Sequence, residues 1–156
     1  MMGARRTAGW VALVAYLVCG ALLYLSVLPG ADWHWPPDFR LMGYTADSIA
    51  GFTGALRAEG LASYGQVLAV WDRVFVVAFA AWLILTGWRG GWMRYAVAFL
   101  AVLYAGVDLG ENAAIARMIG TSQDTWVEVA SHLTMAKFSS LYLCALVLLV
   151  HLRWAR

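Results

Sequence analysis

Apolar residues in this chain gather in long uninterrupted runs rather than recurring on one face of each segment. The first run extends from Thr7 to Ala31 without a charged residue. About 20 helical residues cross a hydrocarbon core, so this run predicts a membrane-crossing helix. Arg5 and Arg6 precede it, as they would in a secretory leader, but the run is longer than the usual leader core of about 7–15 residues. A retained helix ending at Pro29-Gly30 is expected. The second run covers Gln66 to Gly87 and is interrupted early by Asp72 and Arg73. The third is uncharged from Tyr95 to Val107 and the fourth from Phe138 to Val150, thirteen residues each. Thirteen residues rise about 20 Å, against a core of about 30 Å. To cross, the third helix must continue through Asp108, Glu111 and Asn112 toward Ile119. The fourth must begin before Lys137, near Trp126 to His132. The alternative is a pair of re-entrant or core-buried helices. The pattern predicts one membrane domain over residues 1–156, with helices at about 7–29, 64–88, 92–119 and 126–152 and no internal repeat.

The only long connection is the loop over residues 30–63. Trp33-His34-Trp35-Pro36-Pro37 reads as an extended interfacial segment, because tryptophan anchors at head groups and proline resists helix. His34 reads as an exposed loop histidine. Thr45 can cap a short helix, in which Ile49, Phe52 and Leu56 share a face, with Gly60 as its stop. That helix is expected on the membrane surface or over the mouth of the bundle, or as a solvated loop helix.

Composition agrees with a lipid environment. The chain is 63% hydrophobic and 13% charged, where a soluble domain carries about 25% charged residues. The fold class expected is all-α, a polytopic membrane protein built as a four-transmembrane-helix bundle. Nine tryptophans suit its interfaces. Membrane lipids are the expected surroundings, and nothing points to nucleic acid or to a cofactor. Arg5, Arg6, Arg89, Arg94, Arg153 and Arg156 flank the runs on one side with no acid among them. Asp32, Asp38, Asp47, Glu59, Asp124 and Glu128 fall on the other, with Arg40, Arg57 and Arg117. Cytoplasmic loops concentrate Arg and Lys, so the expectation is a multi-pass protein of the bacterial cytoplasmic (inner) membrane, both termini inside. Cys19 and Cys144 sit in apolar runs without a CxxC and read as small buried hydrophobes.

Depth singles out the candidate chemistry. Counted from the basic end of each helix, Asp72, Asp108, Glu111, Lys137 and Tyr24 all fall about 20–25 Å up, in one layer. Asp108, Glu111 and Asn112 follow i, i+3, i+4 and share a face, with Tyr104 one turn below. Thr134, Lys137 and Ser140 form a row on the fourth helix. A charge at the centre of a membrane helix costs about 2.5–3.5 kcal/mol, so these groups must turn inward and pair. Lys137 is the only lysine, among eleven Lys and Arg residues. Counted with Arg73, it leaves the acids one charge in excess, to be met by a retained proton, a bound cation or a protonated His132.

Asp72, Asp108, Glu111 and Lys137 are the candidate catalytic residues, as acid–base pair and polarising amine. Tyr24, Tyr104, Asn112, His132 and Thr134 are candidate ligand-binding residues. A hard cation on the acids is conceivable, but Lys137 argues against one, and no metal site is assigned. The reading favoured is a site that binds or processes an amphiphile or a small polar head group. A structural or accessory subunit, whose ionic cluster only locks the packing, is the alternative. A proton- or ion-coupled path through an oligomer is another. Gly106-x-x-x-Gly110, on the opposite face of the third helix, is a weak signal for a homodimer seam.

Gly43-Tyr44-Thr45, Tyr64 ahead of Asp72, Asp108-x-x-Glu111-Asn112 and Thr134-x-x-Lys137 together resemble a family of small, uncharacterised bacterial four-helix integral membrane proteins. The resemblance covers residues from about 43 to 150. It implies a fold and no activity.

Overall fold

The computed structural model describes residues 2–121 and 124–154, which are helical or in turns and loops, without a strand among them. Arg156, counted above at the basic end, lies outside them, as does the side chain of Asp124. Four helices are long and apolar enough to cross a membrane. In chain order the helices are α1 (Met2–Gly30), the short α2 (Ala46–Ala55), α3 (Ala58–Gly87), α4 (Met93–Thr121) and α5 (Asp124–Trp154). The two short uncharged runs are extended through their polar neighbours. α4 continues without a break through Asp108, Glu111 and Asn112, and α5 starts well ahead of Lys137.

Both helices that flank the loop contain a π turn, Leu23–Val27 in α1 and Val67–Trp71 in α3. The first has a local cause: Pro29 has no N–H for the carbonyl of Leu25, and its ring crowds that carbonyl. α1 then closes through a bond from the Trp33 N–H to the Leu28 carbonyl at 2.7 Å, with Asp32 and Trp33 at φ 47° and 65°. This left-handed conformation costs energy for residues other than glycine, and the tryptophan bears most of it.

α3 begins at Ala58, earlier than the apolar run suggests, and Gly60 lies inside it rather than stopping the helix before it. The reason is a backbone crossing. A Cβ on Gly30 would lie 2.7 Å from the Cα of Gly60, so the end of α1 and the start of α3 pass where only glycines fit. Arg57 fastens the crossing: its N–H donates to the Gly30 carbonyl at 2.8 Å and its guanidinium reaches Asp32 at 2.6 Å.

α2 opens with a capping box in which Thr45 and Ser48 serve each other's backbone N–H, as the Thr45 signal suggested. It buries Ile49 and Phe52 against Val27, Tyr64, Ile115 and Met118, forming a core at the loop end. A second core, with Leu83, Val97, Cys144 and Leu148, lies toward the basic end. Both cysteines are buried and unpaired. The long helices form an open arc: α1 packs on α3, α3 on α4 and α4 on α5, while α1 and α5 make next to no contact.

Candidate functional site

The polar layer lies between the two cores. α4 buries Tyr104, Asp108, Glu111 and Asn112, the first three rising along one face. α5 answers with Thr134 and Lys137, and α3 adds Asp72, the first residue after its π turn. The extra residue of a π turn shifts the phase of every side chain beyond it, and such turns are frequent at functional sites.

Lys137 Nζ pairs with Glu111 Oε2 and lies 3.4 Å from Asp108 Oδ1. The Thr134 hydroxyl donates to Glu111 Oε1 and also lies 3.0 Å from the Ala130 carbonyl. Asn112 Nδ2 donates to Asp72 Oδ2 at 2.6 Å. Glu111 has no exposed surface and Asp108 has 3%. Two carboxylates this deep persist as ions only with partners. Glu111 has both an amine and a hydroxyl. Asp108 Oδ1 shares the same amine, at 3.4 Å.

The structure thus brings together Asp72, Tyr104, Asp108, Glu111, Asn112, Thr134 and Lys137. Tyr24 stands apart from the ionic groups at the rim, 61% exposed, with its ring edge-on to Trp33 at 5.6 Å. His132 is exposed on α5, about 200° around the helix from Thr134, and does not line the cavity between α1 and α5. Among the described residues it forms no ion pair with the acids of the cluster. Arg73 is exposed too, beside a small separate pocket, and gives the cluster no cation. Ser140 turns back to the carbonyl of Lys137 at 2.9 Å. A Cβ on Gly106 would meet open space, while one on Gly110 would touch Leu133 of α5 at 3.8 Å, so the two glycines do not share one surroundings.

Asp38 is the residue that sequence reasoning left outside. It was counted among the acids of the loop end. Yet the turn Pro37–Phe39, preceded by the buried Pro36, directs it inward, where the Tyr64 hydroxyl donates to its Oδ1 at 2.8 Å. Burial pushes its pKa above the usual aspartate value, and Asp72 adds to this, while Lys137 and the Tyr64 bond oppose it. Burial likewise raises the pKa of the Tyr44 phenol. The only sequence signal was the stiff Pro36-Pro37 pair, which fixes a direction without saying which. The loop is tied down nearby. The Tyr44 N–H donates to Ser131 Oγ at 2.8 Å. Gly43 has φ +82°, and a Cβ there would sit 2.9 Å from Ser131 Oγ. Position 43 therefore admits only glycine without strain.

The gap between α1 and α5 is a cavity of about 710 Å³. Its side walls are Tyr16, Leu17, Gly20 and Tyr24 of α1 and Phe138, Leu141 and Tyr142 of α5. Phe75, Tyr104 and Asp108 form its back, and Trp35, Asp38, Phe39 and Leu41 cover it at the loop end. Asp72 and Lys137 also line it, whereas Glu111 lies behind. Ligand cavities typically measure about 300–1,000 Å³, mostly apolar with a few placed polar groups, and this one fits that description. From Tyr16 to Leu28 it follows α1 for about 18 Å. Among the described residues no three His, Cys, Asp or Glu side chains converge as metal ligands. The arrangement can therefore hold a polar head at one end and an apolar chain along the other, with Lys137 already engaged by two carboxylates.

Comparison with protein-family models, with curated proteins and with solved structures finds no match to this chain.

Proposed function

We propose that this is a multi-pass protein of the bacterial inner membrane that binds an amphiphile in the cleft between α1 and α5. The polar head would lie against Asp38, Asp72, Asp108 and Lys137, and the chain would run between the apolar walls toward Tyr16 and Tyr142. The observation that carries this reading is the cavity itself, which reaches the ionic layer. A purely structural lock would be packed shut, and here an open cavity reaches Asp72, Asp108 and Lys137. The basic ends of the helices favour an arrangement with the loop, and so the cleft's polar end, toward the outer leaflet.

Gly20 supplies the test. It lines the cleft, and a Cβ there meets nothing within 4 Å, so a large side chain fills the cleft without disturbing the helix. Native mass spectrometry of protein taken gently from membranes is expected to show a bound amphiphile on the wild type. Gly20→Phe is expected to lose it and to keep or raise the unfolding temperature. A wild type that carries nothing, or a Gly20→Phe protein that carries the same molecule, would leave the ionic cluster as a lock on helix packing.

A further inference from the structure

The acids facing the cleft are not equally served. Glu111 and Asp108 share Lys137. Asp38 accepts from the Tyr64 hydroxyl and Asp72 from the Asn112 amide, and both donors are neutral. Among the described residues no Lys, Arg or His forms an ion pair with either. Each bond uses one carboxylate oxygen and leaves the other. A third carboxyl group, that of Asp108, also lines this space and shares its cation with Glu111. The cleft thus presents three carboxyl groups from the loop, α3 and α4 against one amine already in use.

A phosphate or carboxylate head would meet these oxygens with like charge, and the one amine there is already engaged. An ammonium reverses both terms: it carries the missing charge and three N–H donors and needs no acceptor of its own. Trp35, Phe39 and Tyr104 also line the cleft, and aromatic rings attract a desolvated cation.

We propose that the amphiphile this cleft selects carries a positively charged head, an alkylammonium or the ammonium end of a zwitterionic lipid, seated between Asp38 and Asp72 with Asp108 beneath. The inference rests on the cleft being an amphiphile site, and the experiment separates the two claims. Purified protein in neutral detergent is offered equal amounts of dodecylammonium, dodecylphosphoethanolamine and dodecyl phosphate, and adducts are counted by native mass spectrometry. Dodecylammonium is expected to exceed dodecyl phosphate at least tenfold. Phosphoethanolamine binding near the ammonium level would identify a lipid head as the source, and phosphoethanolamine binding well below it a simple amine. Both outcomes support a cationic head. Asp38→Asn/Asp72→Asn is expected to erase the preference, and Gly20→Phe to erase all binding. Equal binding of the three probes, removed by Gly20→Phe, would overturn the head-group assignment and keep the cleft. Binding of none, or binding indifferent to Gly20→Phe, would overturn both. The comparison of probes on the wild type decides the matter even where the double variant does not fold.

Discussion

Replacing Lys137 by methionine keeps the volume and flexibility of the side chain and removes its charge. Glu111 and Asp108 then lose their cation at sites where their side chains are 0% and 4% exposed. Breaking a buried pair on one side costs about 3–5 kcal/mol, because the surviving charge is stranded. Glu111→Gln in the same chain removes one stranded charge and keeps an acceptor for the Thr134 hydroxyl. The double variant should therefore recover part of the loss, with a coupling of at least about 1.5 kcal/mol between positions 111 and 137. The assay is unfolding in mixed micelles with rising dodecyl sulfate, followed by the intrinsic fluorescence of the nine tryptophans. Four chains are compared: wild type, each single variant and the double. A Lys137→Met protein within about 0.5 kcal/mol of wild type, the usual scatter of a surface substitution, would refute the ion-pair reasoning. Strict additivity of the two changes would refute it as well.

Asp38 sets a pH dependence of the loop. Its pKa is raised in the folded protein, so the folded state holds this proton more tightly than the unfolded one. Stability should fall as pH rises from the ordinary aspartate value through the raised one and level off above it. Asp38→Asn should remove that slope and be the more stable chain on the alkaline side, measured by thermal unfolding across pH. Gly30→Ala forces a methyl to 2.7 Å from the Gly60 backbone. A loss of about 1–3 kcal/mol is expected, with Gly20→Ala, in open space, as the harmless control. For topology, Asp47→Cys should react with an impermeant maleimide on intact cells and Gly90→Cys only after permeabilisation. Cys19 and Cys144, both buried, should give little background.

Much of the architecture was legible because the hydrocarbon core imposes a length. Thirteen uncharged residues cannot cross it, and that alone drew Asp108, Glu111 and Lys137 inside and placed them at one depth. Periodicity then put Asp108 and Glu111 on one face. Four things escaped. The approach of α1 to α3 through Gly30 and Gly60 is a tertiary event, and alone Gly60 reads as a helix stop. The π turns at Leu23–Val27 and Val67–Trp71 break the 3.6-residue phase, so the direction of Asp72 could not be carried across them from sequence. The inward turn of Asp38 is fixed by Tyr64, a contact across 26 residues. His151 was likewise silent: it is buried at the basic end, where its Nε2 lies 3.0 Å from the carbonyl of Gly87, the last residue of α3.

The arc of helices has one unbuilt side. Since α1 and α5 scarcely meet, whatever fluid surrounds the protein completes the enclosure, and in a bilayer that fluid is the acyl chains of neighbouring lipids. The recognition surface is thus a composite of polypeptide and solvent. Its shape will respond to bilayer thickness and chain order, and the detergent chosen for purification becomes part of the site under study.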